Sequence, residues 1–247
     1  MSTSVAPEEN WEFYLYPTDD GPVFVTFHTE VESINRNDYA HCARVIIPIK
    51  NPDENGAADD NESAELFELE DTLVASLDQA DTPCLLLARV THAGQRELVF
   101  QVKDKERFQP VVTLWIDECK RNDITLSEHD GWDFFNEFIW PSDEDWVWIY
   151  DRRVVDSLIE SGSNPDKEHQ LEFCFHGSST DPLQALSDQL AKDGYTPTSF
   201  DEETLTLVIT KAMALNVNTI WETSMSLIDL ATTHKVEYDG WGAEVVS

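Results

Sequence analysis

The sequence is poor in basic residues. Its 16 Lys and Arg stand against 49 Asp and Glu, which gives a formal net charge of −33. A surface this negative repels phosphate backbones and anionic lipid, and it attracts basic partners over long range. We therefore expect a basic protein as partner, and no direct contact with nucleic acid or membrane. The same charge would also keep an otherwise inert protein soluble, so solubility remains an alternative explanation.

Cysteine is scarce too, and its placement indicates no metal or disulfide framework. Cys42, Cys84, Cys119 and Cys174 form no C-x-x-C pair, and none has a histidine at ligand spacing. The seven histidines form no H-x-H or H-E-x-x-H motif. We therefore predict reduced thiols, no metal and no cofactor.

Long apolar runs are missing as well. No stretch approaches the roughly 20 apolar residues that a membrane-spanning helix needs. Residues 1–10, "MSTSVAPEEN", contain neither the basic nor the apolar region of a secretion signal. We predict that residues 1–10 form a disordered N-terminus and that the protein is cytoplasmic.

What the chain does contain is a regular alternation of strand and helix patterns. Residues 43–135 follow the order strand, helix, strand, strand, helix, strand, and residues 171–246 repeat that order. This is the βαββαβ order of a ferredoxin-like fold. We predict an α+β protein with two ferredoxin-like halves, each with an antiparallel sheet, preceded by an N-terminal hairpin.

A connecting helix is predicted between the two halves. Ser142 is its expected N-cap, with Asp145 at the capping-box position. We assign this helix to an N-terminal domain of residues 11–162. A linker over residues 163–170 then leads to the second domain, residues 171–247.

A short motif, E-x-D-G-W, occurs once in each half, at Glu128–Trp132 and at Glu237–Trp241. An Asp-Gly pair supplies a positive φ at little cost, and a following Trp can cover the end of a small core. The two copies share no His or Lys that could serve as a catalytic partner. We interpret the repeat as architecture and expect Trp132 and Trp241 to be equivalent and largely buried.

The most acidic stretch is residues 51–71, which contains nine acids and no Lys or Arg. Its first part, from Asn51 to Glu62, partly matches a calcium-loop spacing. The stretch follows a strand and begins with Asn, which favours an acidic surface loop over a calcium site. The helix that follows should bury its leucines and present Glu65, Glu68 and Asp71 to a partner.

The C-terminal sequence "TIWETSMSLIDLATTHKVEYDGWGAEV" resembles the regulator of ribonuclease E activity B family (RraB). Stretches such as "WEFYLYP" and "EHDGWDFFNEFIWP" resemble an uncharacterised bacterial domain that is often fused ahead of it. The resemblance implies a cytosolic regulator that inhibits ribonuclease E by protein contact and has no catalytic residues. We predict Tyr238, Asp239, Gly240 and Trp241 as a partner-binding lip.

Three functions therefore stand as hypotheses. The first is a non-enzymatic regulatory binding protein that acts on ribonuclease E or another basic partner. The second is an acidic immunity-type or nucleic-acid-mimic protein that neutralises a basic partner. The third is a hydrolase that uses carboxylates of the first domain, although the sequence contains no nucleophile elbow or phosphate-binding glycine loop.

Overall fold

The computed structural model describes residues 11–247, so the predicted disordered N-terminus at residues 1–10 lies outside the described residues. The chain divides into two compact units, residues 1–141 and residues 142–247. Each has its own antiparallel sheet and its own buried core. In the described part of the chain, no helix has both the length and the apolar character needed to span a bilayer.

The first unit contains a six-stranded sheet. Its strands are β1 (Trp11–Thr18), β2 (Gly21–His28), β3 (His41–Pro48), β4 (Cys84–His92), β5 (Gln95–Val102) and β6 (Thr125–Asp130). Its helices are α1 (Asp60–Gln79), α2 (Lys105–Cys119) and α3 (Asp133–Phe138). The strands lie in the order β1-β2-β4-β5-β3-β6, and every pair of neighbours is antiparallel. The last four strands with α1 and α2 form the predicted ferredoxin-like unit, which the predicted hairpin β1–β2 extends at one edge.

The core of this unit lies between the sheet and helices α1 and α2. Leu66, Leu73 and Leu77 of α1 are buried there, as their helical spacing predicts. The segment after β6 returns to the hairpin, where the Tyr14 hydroxyl donates a hydrogen bond to the Ile139 carbonyl oxygen (2.9 Å). This contact closes the unit on the N-terminal hairpin.

Two acidic residues of the stretch 51–71 are buried and hold the fold together through hydrogen bonds or an ion pair. The Glu62 carboxylate accepts hydrogen bonds from the backbone N–H groups of Lys50 and Asn51, at 2.5 and 3.1 Å. Glu70 is 4% exposed and forms a bidentate ion pair with Arg89. The negative surface of α1 is therefore smaller than the sequence suggests, because burial and pairing take these two carboxylates out of it.

The second unit has a four-stranded sheet. Its strands are β7 (Glu168–His176), β8 (Thr196–Asp201), β9 (Thr206–Ala214) and β10 (Glu237–Ala243). Its helices are α4 (Asp143–Glu160), α5 (Thr180–Lys192) and α6 (Val217–His234). The strand order β10-β7-β9-β8 with antiparallel neighbours is again ferredoxin-like and confirms the predicted fold class.

The connecting helix differs from the sequence expectation in the unit to which it belongs. The capping box between Ser142 and Asp145 is present as predicted. However, Val155 and Leu158 of α4 are buried in the core of the second unit, so the division falls before α4 and not after residue 162. β7 also begins at Glu168, inside the predicted linker.

The two E-x-D-G-W copies are not equivalent, which corrects the prediction for their tryptophans. Both glycines have the expected positive φ, +83° at Gly131 and +97° at Gly240. Trp132 lies beyond the end of β6, is 8% exposed and donates to the Tyr39 carbonyl oxygen (2.9 Å). Trp241 lies within β10 and is only partly buried. The reason is that the Asp-Gly pair ends β6 but falls near the start of β10.

The Glu70–Arg89 pair gives a stability prediction for the first unit. Glu70→Ala should lower the free energy of unfolding by about 3–5 kcal/mol, because it leaves the Arg89 guanidinium without its buried counter-charge. Glu68→Ala on the exposed face of the same helix is the matched control and should change stability by less than about 0.5 kcal/mol. Urea denaturation of both variants measures the difference. Equal effects would show that the pair contributes nothing specific.

Candidate functional site

A groove of about 710 Å³ lies in the second unit between α4, α6 and β10. Its walls are mainly apolar and aromatic, and three carboxylates are among its residues. The lining residues are Val147, Tyr150, Asp151, Val154, Ile228, Ala231, Thr232, Val236, Glu237, Tyr238, Asp239, Gly240 and Trp241. A concave apolar surface with a few polar groups is typical of a binding site.

A β-bulge in β10 shapes one wall of the groove. Tyr238 pairs with Phe175 and Trp241 pairs with Phe173, so three steps along β10 match two steps along β7. Without the extra residue, Tyr238 and Trp241 would point to opposite faces of the sheet. Gly240 accommodates the bulge through its positive φ of +97°. The bulge therefore places both aromatic side chains on the face that carries the groove.

A buried carboxylate, Asp151 of α4, connects the three elements of the groove. Its Oδ1 accepts a hydrogen bond from the Trp241 indole N–H at 2.6 Å and another from the Ser224 hydroxyl at 3.2 Å. The Tyr238 hydroxyl lies 3.3 Å from Ser224 Oγ and completes the chain. Asp151 is 5% exposed, and its Oδ2 has no hydrogen-bond partner among the described residues.

Burial changes the acidity of these groups. Loss of solvent raises the pKa of Asp151 to about 6, against the opposing effect of the hydrogen bonds from Trp241 and Ser224. Burial also raises the pKa of the Tyr238 phenol, so this hydroxyl stays protonated and can donate to Ser224. At neutral pH the groove therefore contains a buried, largely ionised carboxylate of which only Oδ1 accepts hydrogen bonds from the described residues.

The structure brings together one of the two predicted sets of partner-binding residues. Tyr238, Asp239, Gly240 and Trp241 all line this groove. The other set lies on α1 of the first unit, where Glu65, Glu68 and Asp71 are exposed. Lys50 pairs with Glu65 at 2.6 Å, whereas Glu68 and Asp71 have no ion-pair partner within residues 11–247. Participation of either set in partner binding remains a prediction.

The sequence analysis missed Asp151, although a pattern that identifies it is present. Val147, Asp151 and Val155 are spaced four residues apart in α4, so the carboxylate lies on the apolar stripe of the helix. Charged residues are rarely buried without a partner or a function. An acidic residue within the apolar stripe of a helix is therefore the sequence feature that identifies Asp151.

The second unit is a ferredoxin-like domain against which an additional N-terminal helix packs. Its groove contains a buried carboxylate of which only one oxygen accepts hydrogen bonds from the described residues. Comparison of sequences gives the family. Residues 148–243 match the family model "Regulator of ribonuclease activity B", and residues 9–140 match a family of unknown function, DUF695. The chain belongs to the Regulator of ribonuclease activity B family through its second unit, and its first unit belongs to DUF695.

Individual relatives agree with the family model. A Regulator of ribonuclease activity B from Shewanella amazonensis is 35% identical over 98 residues, which are 37% of this chain and 70% of the relative. The relative of the same name from Salmonella typhi is 32% identical over 98 residues, 37% of this chain and 71% of the relative. A solved structure from Galdieria sulphuraria aligns with 84% of this chain and 99% of its own at 12% identity, with a TM-score of 0.21. That score carries no inference about this chain.

The raised pKa of Asp151 gives a prediction for stability against pH. The pKa of Asp151 is about 6 in the folded protein, and its ordinary value is 3.8. Between pH 3.8 and pH 6 the folded protein therefore keeps a proton that the unfolded chain has released. The contribution of Asp151 to stability therefore falls as pH rises from about 4 to about 6, by on the order of 3 kcal/mol. Asp151→Asn keeps the Oδ1 acceptor and cannot ionise. Relative to the parent, its free energy of unfolding should rise over this range.

Urea denaturation at several pH values between 4 and 7 measures this difference. Glu160→Gln is the matched control, because it removes one exposed carboxylate from the same helix at a position outside the groove. Its difference from the parent should stay nearly constant with pH. Parallel stability curves for Asp151→Asn and the parent would contradict the burial of an ionisable Asp151.

Proposed function

We propose that the protein regulates a ribonuclease by direct, non-catalytic contact in the cytoplasm, and that ribonuclease E is the enzyme to test first. The support for regulation is the family of the second unit and the shared name of its relatives. The observation that carries the contact mechanism is the half-satisfied carboxylate of Asp151 in the groove. A regulator that works by contact needs a surface of this kind.

The chemistry of the groove favours a basic segment of the partner. Apolar walls would take up aliphatic and aromatic side chains. Asp151 Oδ2 is buried below the groove surface and would accept a hydrogen bond from an Arg or Lys once the adjacent side chains move aside. A partner cation would also relieve the cost of a buried, incompletely paired negative charge. Glu237 and Asp239 add negative charge among the lining residues. The same groove would disfavour an acidic segment.

The composition of the groove supports binding over catalysis. Its lining residues include no His, Lys or Cys that could act with Asp151 as a general base, proton donor or nucleophile. The hydrolase hypothesis for the first unit is also weakened, because Glu62 and Glu70 are engaged by backbone N–H groups and by Arg89. Neither carboxylate is left for a substrate.

A ribonuclease assay with two isosteric variants tests this proposal. Asp151→Asn should weaken binding to ribonuclease E by about 2–5 kcal/mol, the usual cost of removing one partner from a buried charged pair. Inhibition of RNA cleavage should weaken in parallel. Glu160→Gln removes the same charge from an exposed position of the same helix and should bind nearly as the parent does.

The outcomes separate the hypotheses. Equal, small effects of the two variants would mean that total negative charge matters and the groove does not, as expected for a nucleic-acid mimic. No effect of the parent on RNA cleavage, together with no binding to ribonuclease E by calorimetry, would refute ribonuclease E as the target. Circular dichroism of each variant establishes that the fold is retained.

We further propose that the exposed acids of α1 accelerate association with a basic partner. Glu65→Gln, Glu68→Gln and Asp71→Asn together should lower the association rate several-fold at low salt, because charges at the rim of an interface steer the encounter. The dissociation rate should change less. Raising the ionic strength should reduce the difference from the parent, since screening acts over about 8 Å at physiological salt.

The control is a triple change on α2 of the same unit. Glu106, Asp117 and Glu118 are exposed there, and their amide variants remove an equal charge from a different helix. Stopped-flow association with both triple variants measures the contrast. If the two variants slow association equally, net charge and not the α1 surface steers the partner. An association rate that responds to neither salt nor charge removal would rule out steering.

A further inference from the structure

A second cluster of reactive side chains shares Asp239 with the groove, and its other two members do not line the groove. Cys174 Sγ, His176 Nε2 and an oxygen of Asp239 lie within 4.8 Å of one another. Cys174 and His176 are two residues apart on β7, so they share one face of the strand, opposite to Phe173 and Phe175. The β10 bulge directs Asp239 toward them.

The three groups are a donor set that suits zinc. A thiolate, an imidazole and a carboxylate are all common zinc ligands, and thiolate with imidazole disfavours magnesium or calcium. His176 Nε2 lies 3.2 Å from Asp239 Oδ2 and 3.9 Å from Cys174 Sγ. Ideal tetrahedral coordination places such ligand pairs about 3.4 and 3.6 Å apart, given ordinary zinc bond lengths. Both pairs that include His176 therefore lie within a few tenths of an ångström of tetrahedral spacing, and the Cys174 sulfur lies no more than 4.8 Å from the Asp239 oxygen.

The histidine is also oriented as a metal ligand requires. Its Nδ1 lies 3.1 Å from Thr206 Oγ1. The Thr206 hydroxyl donates to the Thr204 carbonyl oxygen at 3.4 Å and accepts a hydrogen bond from the Thr204 hydroxyl at 3.0 Å. Without metal, the Asp239 carboxylate at 3.2 Å favours a proton on Nε2. A metal bound at Nε2 would replace that proton, and Nδ1–H would then donate to Thr206 Oγ1, as in metal sites where a second residue fixes the histidine tautomer.

We propose that Cys174, His176 and Asp239 bind one zinc ion, with the fourth coordination position open to water or to a ligand from a partner. Zinc in proteins usually has four ligands, so three protein ligands leave one position for water or another donor. Side-chain exposures of 42% for His176 and 62% for Asp239 allow an ion to enter. Cys174 and His176 are two residues apart in a strand, which corrects the expectation that no cysteine has a histidine at ligand spacing. Asp239 could not be predicted with them, because it reaches them only through strand pairing. The proposal is independent of ribonuclease regulation.

Cobalt(II) is the probe, because thiolate coordination gives a charge-transfer band and tetrahedral geometry gives intense d–d bands. The full-length protein, reduced with a phosphine, should bind one equivalent and develop both features, and zinc should displace the cobalt. A large excess of magnesium should not remove the bands. Such competition excludes general adsorption of cations to a chain with 49 carboxylates, since carboxylates produce no thiolate band.

Variants of each ligand test the assignment. Cys174→Ser should abolish the charge-transfer band. His176→Ala and Asp239→Asn should each weaken cobalt affinity by more than about tenfold, while Thr206→Val should weaken it by about tenfold and keep the band. Cys119→Ser and His41→Ala are matched controls and should leave spectrum and affinity unchanged. His41 is a useful control because it pairs with Asp130 at 2.8 Å much as His176 pairs with Asp239.

Two results would overturn the proposal. One is the absence of a thiolate band in the parent with one equivalent of cobalt, which would leave His176 and Asp239 as an ordinary ion pair. The other is a band that persists in Cys174→Ser, which would place the metal at another cysteine. Because Asp239 is exposed, Asp239→Asn leaves the fold intact, and an unchanged affinity in this variant would remove the carboxylate from the site.

Discussion

The hydrogen bonds to Asp151 are the interaction on which the second unit depends. This one carboxylate on α4 accepts from Ser224 on α6 and from Trp241 on β10. A helix outside the βαββαβ order is thereby fixed against the last helix and the last strand of that order. Apolar contacts alone would fix the orientation of α4 less strictly, because hydrogen bonds depend on direction and apolar packing does not. The groove exists because α4 is held at this position.

The bulge at Asp239 and Gly240 creates a second constraint with two consequences. It turns Tyr238 and Trp241 toward the groove, and it leaves Asp239 beside Cys174 and His176 of the neighbouring strand. A regular strand would have separated the two aromatic residues and given the groove only one of them. The bulge therefore serves both the groove and the cluster on the other face of β7. A bulge is a local departure from pairing that re-aims side chains in this way.

The sequence predicted the fold well and the site only in part, for physical reasons. Helical and strand periodicity is local, so both βαββαβ units and the capping box at Ser142 could be predicted. The unit to which α4 belongs depends on long-range packing, and the prediction assigned it to the wrong side of the boundary. The Y-D-G-W segment, predicted for partner binding from its motif, lines the groove, and its role in binding stays a prediction. Asp151 was missed although its place on the apolar stripe of α4 was visible in the sequence. Its bonds to Ser224 and Trp241 depend on long-range packing, which periodicity does not specify.

The repeated E-x-D-G-W motif shows how the same residues serve different structures. In both copies the glycine adopts a positive φ, and the aspartate pairs with a histidine on the first strand of its βαββαβ order, His41 of β3 or His176 of β7. One copy ends its strand and the other continues through a bulge. The difference arises from where each copy falls along its strand: Asp130 is the last residue of β6, whereas Asp239 is the third residue of β10. Only a copy inside a paired strand can form a bulge, and only that copy turns its tryptophan to a buried acid. The motif therefore specifies a backbone conformation, and strand register decides whether that conformation builds a site.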